Sequence, residues 1–326
     1  MIAGQDRAVE QFAGAWAKRK LHHAWLLAGP KGVGKASFAR AAARRVLADA
    51  AGPPTDLSGL ETHDEHPIVK LIEAGSHPDM RWLERLPKEK GDGLARDITV
   101  KQVRELGEFM GMTAALSPWR VAVIDTVDEL AGPGANALLK MLEEPPSNTL
   151  FFLVSHSPGR LLPTIRSRCR RLDFSELSDD AMTSILEKQA PTLSEAERKR
   201  VIAMSGGSAG RALAFAELGL AKIEDAALAI LRQGDPTNAR RSDLASELGR
   251  KGAADRYAAF LDLAPSLIAR EARRLEGGPR ERALDAYAKA RELAAIAPRL
   301  SLDPAATVFQ IGGFLAEVAG PASLKR

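Results

Sequence analysis

Apolar residues recur along this chain in two rhythms, and the place where one gives way to the other divides it. Up to residue 174, short continuous apolar runs alternate with stretches spaced like a helix; beyond it only the helical spacing persists. Residues 24–28, 80–83, 121–124 and 150–154 form runs whose length and apolar content suit parallel strands buried on both faces. Between them, residues 5–20 place Val9, Phe12, Ala13 and Trp16 on one helical face, as an amphipathic helix does. An alanine-rich helix is predicted over 38–50. Another covers 100–112, with Thr99 as its cap and Val103, Leu106, Phe109 and Met110 inward. A Gly/Pro break at 132–134 precedes a helix carrying Leu138, Leu139, Met141 and Leu142, which Pro145 and Pro146 stop. Strands alternating with helices predict an α/β domain with a parallel sheet over residues 1–174.

After residue 174 every segment reads as helix. Ser178-Asp179-Asp180 opens one at 179–189, Thr192-Leu193-Ser194 opens another at 194–204, and Gly206 to Arg211 start a third reaching 217. These make a small helical lid subdomain, 175–220. Helices at 222–233, 237–250, 253–275, 279–295 and 303–318 then build an all-helical domain, 221–326, with breaks at Gly234-Asp235-Pro236, Gly277-Gly278-Pro279 and Ala297-Pro298. A chain of 326 residues is long for one core, so two or three domains are expected. No repeat of fixed period runs through it.

Composition narrows the class. Hydrophobic residues at 45% and charged residues at 27% describe an ordinary folded protein. The opening residues show no apolar signal core and no window suits a membrane span, so a cytoplasmic protein without membrane contact is expected. A single cysteine, Cys169, excludes an internal disulfide and any cysteine-rich zinc module; a small buried side chain is expected there. The net charge of +4 comes from 46 basic and 42 acidic residues, largely interspersed. It permits nucleic-acid contact without demanding it. Residues 51–67 and 87–96 read as polar loops, the first weakly ordered. His63, Asp64, Glu65 and His66 fall in that first loop, where neighbouring side chains rarely converge on one centre, so no metal is expected.

The candidate chemistry follows the strands. The run 24–28 leads directly into GPKGVGKAS and a helix, and GxxxxGK is matched by Gly29, Gly34 and Lys35, with Gly32 inside the loop. Glycines let successive amides converge on an anion, the helix start adds positive potential, and the lysine reaches the outer phosphates. The hydroxyl that would hold magnesium is missing: Ala36 occupies its place and Ser37 comes one position late. Asp125 closes the run 121–124, at the strand end where open α/β sheets bind ligands. The run 150–154 ends in Ser155-His156-Ser157. Arg166, Arg168, Arg170 and Arg171 then put four arginines within six residues.

These motifs together resemble the bacterial clamp-loader AAA+ subunits of DNA polymerase III. The resemblance rests on Gly29 to Lys35, His77-Pro78-Asp79, Ala135 to Lys140 with Leu142-Glu143-Glu144-Pro145-Pro146, and Phe151-Phe152-Leu153. It continues through Ser167-Arg168-Cys169 and Gly207 to Arg211. It covers most of residues 1–215, while the last third matches only in being helical. The family implies an AAA+ P-loop NTPase-like sheet domain, a helical lid and an all-α C-terminal collar. It implies that Arg168 is an arginine finger, a guanidinium reaching ATP held by the adjacent subunit. Arg211 matches the family's second sensor, and Ser155 or His156 the first.

Where the chain departs from the family, it departs at the chemistry. Thr126 stands where a hydrolysing member carries the glutamate that polarises water, and a threonine is no base. With Ala36 also in place, hydrolysis is expected to be lost; Glu129, a turn further on, is a poor substitute. The resemblance therefore implies a stator-like subunit of the loader, with no cofactor required; whether ATP or ADP still binds stays open. Arg166, Arg170 and Arg171 are left to solvation or DNA phosphates. Implied partners are the tau/gamma motor subunits, the delta subunit and, through the complex, the sliding clamp and primed DNA. The alternatives are a hydrolysis-competent tau/gamma-type ATPase, favoured by Gly34, Lys35 and Asp125, and a non-enzymatic DNA-binding protein.

Overall fold

The computed structural model describes residues 2–88 and 94–319; of the polar loop read at 87–96, residues 89–93 lie outside them. Its contacts divide the chain into two compact units, Met1–Ala181 and Met182–Arg326. Among the described residues no helix is long and apolar enough to cross a membrane.

In chain order, the first unit contains α1 (Asp6–Ala17), β1 (Ala24–Ala28), α2 (Lys35–Ala51), α3 (Pro67–Glu73), β2 (Met80–Leu83) and α4 (Val100–Gly111). It continues with β3 (Arg120–Asp125), α5 (Gly132–Glu143), β4 (Thr149–Ser155), α6 (Pro163–Arg166) and β5 (Arg170–Asp173). The strands form one sheet in the order β2-β3-β4-β1-β5, and every pairing is parallel. Alternate residues feed opposite faces, as a pleated strand dictates. Trp25, Leu27, Val121, Val123, Phe152 and Val154 pack with Phe12 of α1 and Phe38, Ala42 and Val46 of α2. Leu26, Ala122, Ile124, Phe151 and Leu153 pack with Leu106 and Met110 of α4 and Leu138 and Leu142 of α5. Both faces are apolar because both are covered, which is why the strands read as continuous runs.

Local chemistry sets the helix starts. Thr99 and Gln102 form a reciprocal capping box on α4. Gly132, Pro133 and Gly134 do not break the chain before α5 as expected; they form its first turn, where a proline's missing amide costs nothing. The 51–66 loop is closed by two arginines of α2. Arg44 bonds Thr62, Asp64 and Glu73, and Arg45 bonds Asp49 and the carbonyls of Leu57 and Glu61. Its histidines are turned to separate tasks: His63 pairs with Asp56 at 2.9 Å, while His66 caps α3.

Among the described residues the elements of the second unit are all helices. The boundary falls in α7 (Asp179–Gln189), followed by α8 (Glu195–Ser205), α9 (Ala209–Glu217), α10 (Ala221–Gln233) and α11 (Ala239–Leu248), then α12 (Ala254–Ala272), α13 (Gly277–Leu300) and α14 (Pro304–Val318). Glu224 of α10, 4% exposed, accepts from Arg200 of α8 at 2.8 Å and Arg270 of α12 at 3.4 Å. One buried carboxylate thus joins three helices, and its charge is met by two arginines. The expected break at Ala297-Pro298 is absent, because α13 runs on to Leu300. Pro298 lies in its last turn, so little ladder remains to be disrupted, and Ser301 ends the helix with φ of 51°.

Candidate functional site

The carboxyl ends of β1, β3 and β4 meet at one edge of the sheet, where Ala28 is in register with Ser155 and Asp125 with Val154. The GxxxxGK loop leaves β1 there. Gly34 caps α2 in a left-handed conformation, φ 99°, and a side chain at that position would meet open space. Gly29 is different: an added Cβ would lie 2.2 Å from the Phe174 carbonyl oxygen. Gln5 fixes the loop from outside, donating to the Val33 carbonyl at 3.2 Å and the Ser175 carbonyl at 2.9 Å. Lys35 is 2% exposed. Its ammonium donates to the Gly29 carbonyl at 2.6 Å and to that of Pro30. Burial pushes its pKa down to about 8, opposed by the charges of Asp125 and Asp128.

The strand ends facing that lysine are occupied by one another. Asp125 has its pKa raised by burial, an effect countered by a hydrogen bond from Thr126 and the charges of Lys35 and Arg40. Thr126 is buried, and its hydroxyl lies 3.3 Å from His156 Nε2. Asp128 accepts from the Ser155 hydroxyl at 2.8 Å and from the His156 amide at 2.5 Å. The Ser155 hydroxyl is therefore committed to Asp128. Glu129 forms an ion pair with Arg85 at 2.8 Å. The loop sets Gly29, Gly32 and Gly34 at positive φ beside the buried Lys35. Ala36 supplies no ligand, Thr126 no base, and Glu129 is held by a cation.

Arg168 stands apart from all of this. It precedes β5 by two residues, and in a parallel sheet that is the amino end, whereas Lys35 follows the carboxyl end of β1. At about 3.3 Å per residue, the five-residue β1 separates the two ends by about 15 Å. Arg168 Nη1 donates to the Thr164 carbonyl at 2.9 Å, and Nη2 meets Glu143 at 2.8 Å. Cys169 beside it is largely buried, and burial pushes its thiol up to about 12, so it is no nucleophile at neutral pH. Arg211 belongs to the second unit, where its guanidinium bonds the Ser205 carbonyl at 3.3 Å. Gly29, Gly32, Gly34, Lys35, Asp125 and Ser155 are thus assembled at one edge of the first unit. Arg168 lies at the opposite edge of that unit.

Known proteins resemble this chain in sequence. A sequence model of the family described as DNA polymerase III, delta subunit, matches residues 4–178, more than half of the chain. The delta-prime subunit of Pseudomonas aeruginosa DNA polymerase III is 36% identical over 189 residues, 57% of this chain and 53% of that protein. The Escherichia coli delta-prime subunit is 32% identical over 206 residues, 63% of this chain and 58% of that protein. The chain belongs to the delta-prime-type clamp-loader subunits of DNA polymerase III. It also matches the tau subunit of Bacillus subtilis at 28% identity, over 70% of this chain and 39% of that protein. The chain spans about half the length of the delta-prime relatives it matches. The five-stranded parallel sheet with its helical C-terminal region is the AAA+ architecture expected of this family.

In this delta-prime-type chain, the residue that sequence reasoning missed is Asp128. It lies in the short turn Val127–Glu129 and fixes the tip of β4 from 27 residues away. The acidic pair at 128–129 was visible, but nothing local reveals that its first member is turned inward. The cluster has a pH signature. Burial and the nearby Lys35 charge lower the His156 pKa to about 4 from 6.5. Between those values the unfolded chain binds a proton that the folded chain refuses, so stability falls as pH drops from 6.5 towards 4. That residue is expected to contribute about 2–3 kcal/mol of the loss. Urea titrations at pH 7 and pH 4.5 check this: His156→Gln should flatten the dependence, and an unchanged difference would refute the assignment.

Proposed function

We propose that this chain is a stator-like subunit of the replicative clamp loader of DNA polymerase III, without ATP hydrolysis of its own. It offers Arg168 to a nucleotide held by the adjacent tau/gamma-type motor subunit. The observation that carries the reading is the separation of Arg168 from its own GxxxxGK loop, by the length of a strand. That distance supports a role toward a nucleotide presented by another chain rather than one held in its own loop. Thr126, engaged with His156, supports the other half of the reading, since it stands where a hydrolysing member of the family carries the carboxylate that polarises water. The assembled complex, including the delta subunit, would open the sliding clamp and set it on primed DNA in the cytoplasm. Nucleotide in the chain's own loop is not needed for this role.

Steady-state phosphate release by the purified chain tests the proposal. With Ala36 and Thr126 in place of both working groups, turnover is expected at the level of a protein-free control. Turnover comparable to a competent AAA+ motor would refute it and favour a hydrolytic subunit.

A further inference from the structure

The arginines before and within β5 are held in different ways. Arg171 pairs with Asp173 of its own strand at 2.6 Å, and the Arg170 guanidinium lies 5.0 Å from the centre of the Trp25 ring. Arg168 is the one gripped by a carboxylate from another element. Glu143 Oε1 meets Nη2 at 2.8 Å, while the Thr164 carbonyl of α6 accepts a hydrogen bond from Nη1 at 2.9 Å.

The post that carries Glu143 is rigid. Glu143 is the last residue of α5. The preceding residue, Leu142, is 2% exposed and its carbonyl accepts from His23 Nε2 at 3.2 Å, beside the start of β1. Two residues further on, Pro145 and Pro146 restrict the chain that leaves the helix. A guanidinium has five N–H donors. The clamp engages one on each terminal nitrogen, which leaves three donors uncommitted by these two contacts, and the Arg168 side chain remains 35% exposed. Glu143 removes the disorder of a long side chain before the encounter.

We propose that Glu143 is a positioning residue for Arg168, holding its guanidinium in the orientation that meets the neighbour's phosphate. This rests on the reading of Arg168 as a donor to that neighbour. The test uses the reconstituted complex with the motor subunit, at saturating concentrations of this chain so that weaker assembly does not enter. Glu143→Ala is expected to lower the kcat of ATP hydrolysis about two- to fivefold, the range of one exposed ion pair, with KM for ATP unchanged. Glu143→Gln keeps an oxygen acceptor of the same reach and is expected to recover most of the loss. In an Arg168→Ala background, Glu143→Ala should have no further effect, because the pair acts as one unit.

If Arg168→Ala lowers kcat and Glu143→Ala does not, the positioning role is wrong and the donor reading stands. An equal loss from Glu143→Ala with and without Arg168 shows that the carboxylate acts elsewhere, and also overturns the proposal. If Arg168→Ala itself changes nothing, the donor reading fails and this inference fails with it.

Discussion

Arg168→Ala is expected to reduce ATP hydrolysis by about 10³–10⁵-fold at the motor site it faces, the range known for arginine fingers. Clamp loading should fall with it, while the purified variant keeps its fold. The size follows from the chemistry. Phosphoryl transfer asks the protein for little but positioned charge, and a planar guanidinium matches charge spread over equatorial oxygens as no other side chain does. The selectivity follows from the structure, because the side chain is 35% exposed and, among the described residues, bonds Glu143 and the Thr164 carbonyl. Removing it breaks an exposed pair worth about 0.2–1 kcal/mol, so stability should scarcely change. Single-turnover hydrolysis and clamp-loading assays on the reconstituted complex, beside a melting curve of the isolated variant, separate these effects. Unchanged hydrolysis would remove Arg168 from the chemistry. Arg168→Lys is expected to restore little, since an ammonium presents a point charge where the fork is needed.

Much of the sheet was legible because strands buried on both faces must be apolar at nearly every position, as residues 24–28 and 150–154 are. β5 was not, since only Leu172 of its four residues is buried and the rest carry charge; an edge strand of that length has no apolar run to display. α3 was not read either: Ile68, Val69 and Ile72 stand at helical spacing, but the helix is only seven residues long and its start at Pro67 was read as part of the preceding loop. At the site, sequence spacing singled out the glycine loop and Asp125, because motifs record local geometry, while Thr126 stood out only through the resemblance. It could not locate the grip of Asp128 on β4 or of Glu143 on Arg168, whose partners lie 27 and 25 residues away and are brought together only by the sheet.

Gly29→Ala is expected to destabilise the first unit by more than about 4 kcal/mol, beyond the usual range for a point substitution. The new methyl would sit 2.2 Å from the Phe174 carbonyl oxygen and 3.0 Å from its Cβ, at a residue whose φ is 155°. The neighbour cannot retreat. Phe174 donates its amide to the Ala28 carbonyl at 2.8 Å, and its ring packs 5.2 Å from that of Phe38, which is fully buried. Gly34→Ala provides the control, because φ there is 99° but no atom lies within 4 Å of the added carbon. It should cost about 1–2 kcal/mol, the strain of a positive φ alone. Urea denaturation of both variants decides the matter, and a Gly29→Ala cost no greater than that of Gly34→Ala would refute the close approach. The contrast bears on the whole site. The first glycine of the loop is demanded by the packing of β1 against the end of β5, with or without a phosphate. The loop's signature can therefore persist whether or not the chain hydrolyses a nucleotide, and positions 36 and 126, which packing does not constrain in this way, carry alanine and threonine.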